Sequence, residues 1–510
     1  MRVHIVNPSD SSFGIAVITP RWLYVLAAAT PRSYGDPTLI DETLEKIDPE
    51  SIQPGDVVGI GIHTANALRG YAIGREARKR GAIVVYGGIH ASLFPEESYE
   101  RGGAHAVVQG DGDEVWPQLL ADCAKGEPQK LYVGGRLEAD RFQPARWDLL
   151  PAARYMMASV QTVRGCPKHC SFCSVWRTDG QKPRQRASDV VISEIVELRR
   201  RGFRFVLLAD DNFYPVTLED LRLAERQGNE QRIAELKAVR EERFELMRRL
   251  AELPADMMFF TQITMEAAED AEYLEAMRKA NVKGALVGVE SVTEEGLKAV
   301  YKDFNESGDS LVERLRKFRQ HGVYILGSFI FGLPTDREDT FDATVDLAQR
   351  ADTLFAQFVP MTPYPGTVDF KRWEKEQEKD PTLIEGTPIT RYWLLPPLKR
   401  PRLCTPHPTM SGEEIRVNTL GAWNNFYSWK KTWERAGSCT VRLRSRLTIV
   451  LISKLYLAMY AQTGIATDSA RRSKANGWAR WLAKRTLPLF KGAPMPELQV
   501  PRTQTLAAEA

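Results

Sequence analysis

Three cysteines stand within eight residues, at Cys166, Cys170 and Cys173, in the run Arg164-Gly165-Cys166-Pro167-Lys168-His169-Cys170-Ser171-Phe172-Cys173. The chain of 510 residues has only six cysteines, so this CxxxCxxC spacing points to one shared ligand. Cysteinate sulfurs hold iron–sulfur clusters, and three thiolates on one loop can grip three corners of a [4Fe–4S] cube. The fourth iron then lacks a nearby protein ligand, which suits catalysis rather than structure. A structural zinc site closes four ligands, usually from paired Cys-x2-Cys elements, and His169 sits between two of the cysteines, poorly placed to reach the same ion. A disulfide framework would need denser cysteine usage. Residues 1–8 read as a strand and a turn rather than a signal peptide, so a reducing cytoplasm is the expected compartment.

Such a loop needs a scaffold that holds it at an opening. From residue 158 onward, apolar runs alternate with helical patterns six times. The expected strands are 158–163, 203–209, 257–263, 284–289, 324–331 and 354–360. Helical periodicity falls between them, at 189–200, 271–280, 294–300, 310–321 and 340–350, and the charged stretch 221–253 reads as a solvated helical pair. Six such units predict a partial (β/α)6 barrel of the TIM type, with the cysteine loop after the first strand, at the mouth where barrel chemistry sits.

The first 140 residues repeat the alternation on a smaller scale. Strands are expected at 3–6, 57–62, 83–86 and 106–109, with helices at 68–80 and 115–124. This pattern predicts a doubly wound parallel sheet of the Rossmann or flavodoxin kind. Glycines gather after the strand ends, at Gly59, Gly61, Gly87, Gly88, Gly110 and Gly112. Ligands bind beyond the carboxyl ends of such strands; any one of these glycines alone would read as a tight turn. The expected organisation is an α/β domain over 1–143, a linker over 144–157, the barrel over 158–370 and a helical, basic region over 371–510.

Together these motifs resemble the radical S-adenosylmethionine (radical SAM) superfamily, in its class with an N-terminal cobalamin-binding-like domain. The resemblance covers about residues 1–370, and the cysteine motif, with Phe172 at its aromatic position, is the most specific part. It implies that Cys166, Cys170 and Cys173 bind the cluster while SAM chelates the fourth iron and is cleaved reductively. Phe172 would lie against the adenine. The segment Ala209-Asp210-Asp211-Asn212-Phe213 is similar to the one near the SAM amino group, making Asp210, Asp211 and Asn212 candidates. Glu290 and Ser291, in Gly288-Val289-Glu290-Ser291, match the ribose-contacting motif, and Gly327 and Gly332 belong to the strand under the adenine. Pro360-Met361-Thr362-Pro363-Tyr364-Pro365-Gly366-Thr367 resembles a common closing segment.

In the first domain, Gly87, Gly88 and His90 lie in a run that resembles the cobalamin-domain loop, and Gly110 and Gly112 in its following turn. Glycine backbone can approach a flat macrocycle closely. The DxHxxG pattern, whose histidine ligates cobalt from below, is absent; His63 and His90 read as loop or interface residues, and no histidine is expected beneath a bound corrinoid. Methylthiotransferases share CxxxCxxC but carry three further cluster cysteines in their N-terminal domain, where this chain has only Cys123, expected as a buried structural thiol. Tyr364, Tyr392, His407 and Cys404 are candidates for lining a substrate pocket.

The net charge of +3 conceals an asymmetry. Residues 430–491 hold fourteen Lys or Arg against two acids, a local +12, so the remainder carries −9. Apolar residues 447–460 and the Trp/Arg-rich run 478–485 suit an anionic membrane surface; ordinary packing and, less well, nucleic acid are the other readings. No stretch reaches the length of a transmembrane span. The expectation is a cytoplasmic enzyme, peripheral at the inner face of the membrane, with a [4Fe–4S] cluster, SAM and cobalamin. It would methylate an unactivated carbon of a lipophilic small molecule and draw electrons from a donor such as flavodoxin or ferredoxin. Rearrangement, cyclisation or carbon–carbon coupling without methyl transfer is the alternative, and a non-catalytic iron–sulfur scaffold a weaker one.

Overall fold

The computed structural model describes residues 1–401 and 405–463 together with 481, 485, 491 and 492. Cys404 and most of the run 464–510, including Arg471, Arg472 and Trp478, lie outside the described residues.

Two parallel sheets organise the chain. The first has six strands in the spatial order Thr38–Asp41, Val3–Asn7, Val57–Gly61, Ile83–Gly87, Ala106–Gly110 and Leu131–Gly135. Every pairing is parallel. Counted along this sheet the order is second, first, third and onward, so it reverses between Val3–Asn7 and Val57–Gly61, where open α/β sheets bind ligands. The four central strands are β-branched runs buried on both faces, which makes them readable as continuous apolar segments. The two edge strands were not predicted. Leu131–Gly135 exposes alternate residues and Thr38–Asp41 is covered only at one end, so neither carries an uninterrupted apolar signal.

The second sheet has seven parallel strands in sequential order: Ala16–Ile18, Tyr155–Val160, Phe205–Leu208, Met258–Ile263, Val282–Glu290, Tyr324–Phe331 and Phe355–Pro360. Its two end strands do not pair with each other, so it curls into a half-barrel. All six predicted barrel strands are present. The seventh comes from the first domain, because Ala16–Ile18 pairs with Tyr155–Val160; three residues are too few to show a period. Tyr155–Val160 also begins inside the segment expected as a linker. That segment is not loose: Trp147 is buried with its ring 5.2 Å from that of Tyr24, and Tyr155 Oη donates to Asp41 Oδ2 at 2.9 Å.

The charged insertion folds as two helices, Leu218–Arg226 and Glu230–Ala251, the first started by a Thr217–Asp220 capping box. It is not wholly solvated. Arg243 is buried and its guanidinium reaches Thr162 Oγ1 at 2.8 Å.

Behind the last barrel strand, helix Gly412–Phe426 closes the open edge. Trp423 Nε1 donates to Phe358 O at 2.9 Å, while Tyr427 Oη donates to Ala356 O at 2.8 Å and accepts from Ala356 N at 3.0 Å. Side chains thus satisfy backbone groups that an uncovered edge would offer to another strand. The segment before it crosses back to the first domain: Phe370, Trp373, Ile389, Tyr392 and Trp393 join the core around Val58, Ile60 and Tyr86.

Candidate functional site: two adjoining cavities

The cysteine loop leaves the barrel through the short strand Val163–Arg164, braced antiparallel against Arg184–Gln185. Gly165 turns the chain at φ +92°, and a β-carbon there would stand 2.6 Å from Lys182 O. Its N–H donates to Asp211 Oδ2 at 2.6 Å. Between the second and third cysteines, Ser171 is fully buried and held from three sides. Its N–H donates to Val300 O at 3.1 Å, its carbonyl accepts from Val368 N and Asp369 N, and its hydroxyl donates to Asp369 Oδ2 at 2.9 Å. The strap that follows the barrel therefore fastens the cysteine loop as well as the first domain.

Cys166, Cys170 and Cys173 line one cavity of about 290 Å3, with Phe172, Asp211, Glu290, Lys302 and Tyr364 also in its wall. Burial pushes the Cys166 thiol up to about 12 and the Cys170 thiol up to about 11, and raises that of Cys173. Metal coordination deprotonates a thiol outright, so this desolvated donor set favours thiolate only when a cationic centre is bound. Among the described residues no three His, Cys, Asp or Glu groups converge on a single-ion position; a cube instead offers each thiolate its own iron. His169 is exposed with its ring toward Tyr301, 6.5 Å away, and does not line the cavity as the fourth ligand the zinc alternative asked of it.

The three polar candidates after the second barrel strand separate into different roles. Only Asp211 faces the cavity, and burial pushes its carboxyl up to about 7. Asp210 is buried and accepts from Thr162 N at 2.6 Å, Val163 N at 3.0 Å and the Thr162 hydroxyl, with Arg243 Nη1 at 3.6 Å. It holds the turn that launches the cysteine loop. Asn212 spends its amide on Tyr214 and Thr264 backbone.

Glu290 enters the cavity from a bulged strand end at φ +66°, and Lys302 Nζ donates to its Oε1 at 2.8 Å. Burial works against the Lys302 ammonium most strongly of any single cause, yet Glu290 together with Cys170 and Cys166 carries the net shift upward. A β-carbon at Gly288 would stand 2.5 Å from Lys302 Nζ, so that glycine makes room for the pair. Ser291 caps the following turn by accepting from Thr293 N at 3.2 Å. Gly327 and Gly332 serve packing and a turn: Gly327 lies under Phe329, and Gly332 N donates to Asp336 at 2.8 Å. Of the pocket candidates, Tyr364 lines the cavity, Tyr392 belongs to the first-domain core and His407 bonds Leu333 O at 2.9 Å.

A second cavity of about 530 Å3 opens at the carboxyl ends of the first sheet. Gly87, Gly88, Gly110 and Gly112 line it as expected, together with Gly59 and Gly61. Gly59 and Gly61 share one face of their strand, and each lies against an indole: a β-carbon at Gly59 would stand 2.8 Å from Trp116 Cη2, and one at Gly61 would collide with Trp22. Gly88, at φ +89°, would set a β-carbon 2.6 Å from Ile62 O. His90 does not reach this cavity. It is fully buried behind the wall, with Nε2 3.1 Å from Glu97 Oε1 and Nδ1 3.3 Å from Thr64 Oγ1. His63 does line it. Sequence reasoning gave no role to Trp22, Asp113, Arg164 or Lys302; Arg164 stands two residues before Cys166 and Asp113 beside Gly112, whereas Trp22 and Lys302 have no motif around them.

The opposite wall belongs to the barrel: Ser159, Gln161, Arg164 and Ala209. Arg164 Nη1 donates to Asp111 Oδ1 at 2.8 Å across the domain boundary. Asp113 Oδ2 is buried with no hydrogen-bond donor among the described residues, and Arg164 Nη2 stands at 3.8 Å; burial raises its carboxyl. An unpaired buried acceptor beside a glycine-lined slot fits a flat macrocycle edged with amide donors.

Residues 160–348 match the family described as the Radical SAM superfamily. Among curated proteins, the chain is 27% identical over 360 residues to bacteriochlorophyllide d C-12(1)-methyltransferase of Chlorobaculum tepidum, a match covering 68% of this chain and 72% of that one. It is 25% identical over 369 residues to hopanoid C-2 methylase of Rhodopseudomonas palustris, covering 71% and 65%. The structure of TsrM, a radical S-adenosylmethionine methyltransferase from Kitasatospora setae with cobalamin and a [4Fe–4S] cluster bound, superposes with a TM-score of 0.61 at 16% identity, covering 90% of this chain and all of that one. That likeness reaches through both sheets and establishes a shared fold. The cysteine loop lies within the matched stretch, so residues 160–348 carry a domain of the Radical SAM superfamily.

Proposed function

We propose that this chain is a cobalamin-dependent radical SAM enzyme that methylates an unactivated carbon of a lipophilic small molecule. The observation that carries this reading is the adjacency of the two cavities. Arg164 and Ala209 line the first-domain slot, while Cys166 and Asp211, two residues further along the same segments, line the cysteine cavity. A group bound in each would therefore face a common space.

When bound, the cluster and SAM supply a 5′-deoxyadenosyl radical and a methylated corrinoid supplies the methyl group. The protein's part is to hold, orient and shield. Cys166, Cys170 and Cys173 would hold three irons. Asp211 offers an acceptor for an ammonium and Phe172 an apolar wall for a base, while the buried Glu290–Lys302 pair presents both signs of charge in the cavity wall. In the slot, Gly87, Gly88, Gly110 and Gly112 would lie against the macrocycle and Asp113 would take an amide proton donor. The salt link from Arg164 to Asp111 fixes the spacing of the two sites. The relatives that methylate a bacteriochlorophyllide or a hopanoid support a greasy substrate, and reductive cleavage calls for a one-electron donor of the flavodoxin or ferredoxin kind.

Anaerobic reconstitution with SAM, a reductant and hydroxocobalamin tests the reading, since the reduced corrinoid must then take its methyl group from SAM. Release of 5′-deoxyadenosine together with S-adenosylhomocysteine, and a corrinoid absorbance that co-purifies with the protein, are expected. 5′-Deoxyadenosine without S-adenosylhomocysteine would turn the reading to rearrangement or coupling. Lipid and metabolite profiles of a deletion strain would identify the missing product.

A further inference from the structure

The last two described helices, Trp429–Cys439 and Leu443–Thr463, form a hairpin whose two faces differ. The inner face is satisfied. Val450, Ser453 and Leu455 are buried, and the Tyr460 ring lies 5.0 Å from that of Trp423, against the last barrel strand. The outer face is not. Val441 is 98% exposed, Trp429 71%, Leu443 62% and Leu447 52%. Four large apolar side chains on one hairpin are uncovered, and cations stand between them. Lys430, Arg442 and Arg444 are exposed. The Arg446 guanidinium lies 3.8 Å over the Trp433 ring and Lys454 Nζ 4.3 Å over that of Trp429. Residues 429–463 contain seven Lys or Arg and one acid, Glu434.

The chemistry of this face selects among partners. Protein interfaces deplete charge at their apolar centre, whereas here arginine alternates with valine and leucine through the turn. Single-stranded nucleic acid needs aromatic faces for stacking, and the most exposed side chain is aliphatic. Aliphatic and indole groups at the level of Lys and Arg match the boundary between headgroups and acyl chains of an anionic bilayer. We propose that this hairpin docks the protein on the surface of an anionic phospholipid membrane. Val441, Leu443 and Leu447 enter the boundary layer, and Arg442 and Arg444 pair with phosphates.

The position of the turn adds a consequence. Arg319 ends the helix that leads into Tyr324–Phe331 and donates to Ser438, so the turn lies where the barrel strands begin. The cysteine loop lies where they end. The docking surface is a tether and not the door to the active site, and this inference stands independently of the proposed methyl transfer.

Flotation of the full-length chain with vesicles tests it. Binding to vesicles of phosphatidylcholine and phosphatidylglycerol in equal parts is expected, with little on phosphatidylcholine alone and a steep loss with salt. Arg442→Ala with Arg444→Ala should weaken binding by roughly thirtyfold, and Val441→Asp with Leu443→Asp should abolish it; these exposed changes should leave the circular dichroism and 5′-deoxyadenosine release intact. Equal binding to both vesicle types, no binding to either, or unchanged binding by the aspartate variant would overturn the proposal. A dimer in solution that the aspartate variant dissociates would overturn it too, assigning the face to a second copy.

Discussion

The two cavities are lined by residues two apart in the same segments, Arg164 and Cys166, Ala209 and Asp211, yet are built by opposite means. The cysteine cavity is made of side chains that polar struts hold in place: Asp210 with Thr162 and Arg243, Asp211 with Gly165, Ser171 with Asp369. The first-domain slot is made by omission, with glycines at the strand ends giving way to the indoles of Trp22 and Trp116 and to backbone carbonyls. A strutted site fails when a partner is removed and an excavated site fails when an atom is added. Substitutions of the two kinds should therefore injure the two cavities selectively.

The largest expected effect is at the donor set. Replacing any one of Cys166, Cys170 or Cys173 by Ala should abolish 5′-deoxyadenosine release and cut bound iron, with an unchanged circular dichroism spectrum. Corrinoid binding in the slot should survive. Next comes Arg243→Met, which leaves Asp210 buried without its cation. Breaking one side of a buried pair costs about 3–5 kcal/mol, readable as a lower denaturation midpoint that Asp210→Asn combined with Arg243→Met partly restores.

Addition rather than removal is the test for the slot. Gly88→Ala forces a left-handed backbone on a β-carbon 2.6 Å from Ile62 O, at a cost of about 1–3 kcal/mol. It should lower corrinoid affinity while SAM cleavage persists. Loss of both activities together would show that the two cavities are not separable in this way. A finer probe is Asp369→Ala, which frees the Ser171 hydroxyl. One hydrogen bond is worth about 1 kcal/mol of stability, so a small fall in the denaturation midpoint is expected together with a modest rise in the KM for SAM.

The smallest effect is a control remote from both cavities. Burial alone would raise the Asp56 carboxyl, but Arg2, at 2.7 Å, backbone N–H groups and His4 hold it well below the usual range. A depressed carboxylate contributes stability above its unfolded pKa and loses it as pH falls. Thermal stability should drop between roughly pH 5 and pH 3, and Asp56→Asn should flatten that slope without touching either site.

How far the site could be read in advance follows the same division. The three cysteines could be singled out by spacing because cysteine is rare in this chain and thiolate chemistry is narrow, and the structure brings all three to one cavity. Asp210, Asp211 and Asn212 were equally good candidates in one dimension; the turn after the strand sends only the middle one to the cavity. Arg243 was hidden in a stretch of charges, where one inward residue leaves no mark on composition. His90 had the right loop and the wrong direction. Ala16–Ile18 could not have been assigned to the barrel, since which sheet a three-residue strand joins depends on partners 140 residues away.

By itself, then, the order of residues determined the clustering of the three cysteines, the six barrel strands and the glycine-lined strand ends, because local periodicity and side-chain chemistry are properties of short segments. Only the tertiary structure decided which polar groups face ligand and which act as struts, that the segment after the barrel ties the cysteine loop to the first domain, and that the two cavities adjoin. Those outcomes depend on direction and distance between segments far apart in the chain, and they are settled when the sheets pack and bury one side of each turn.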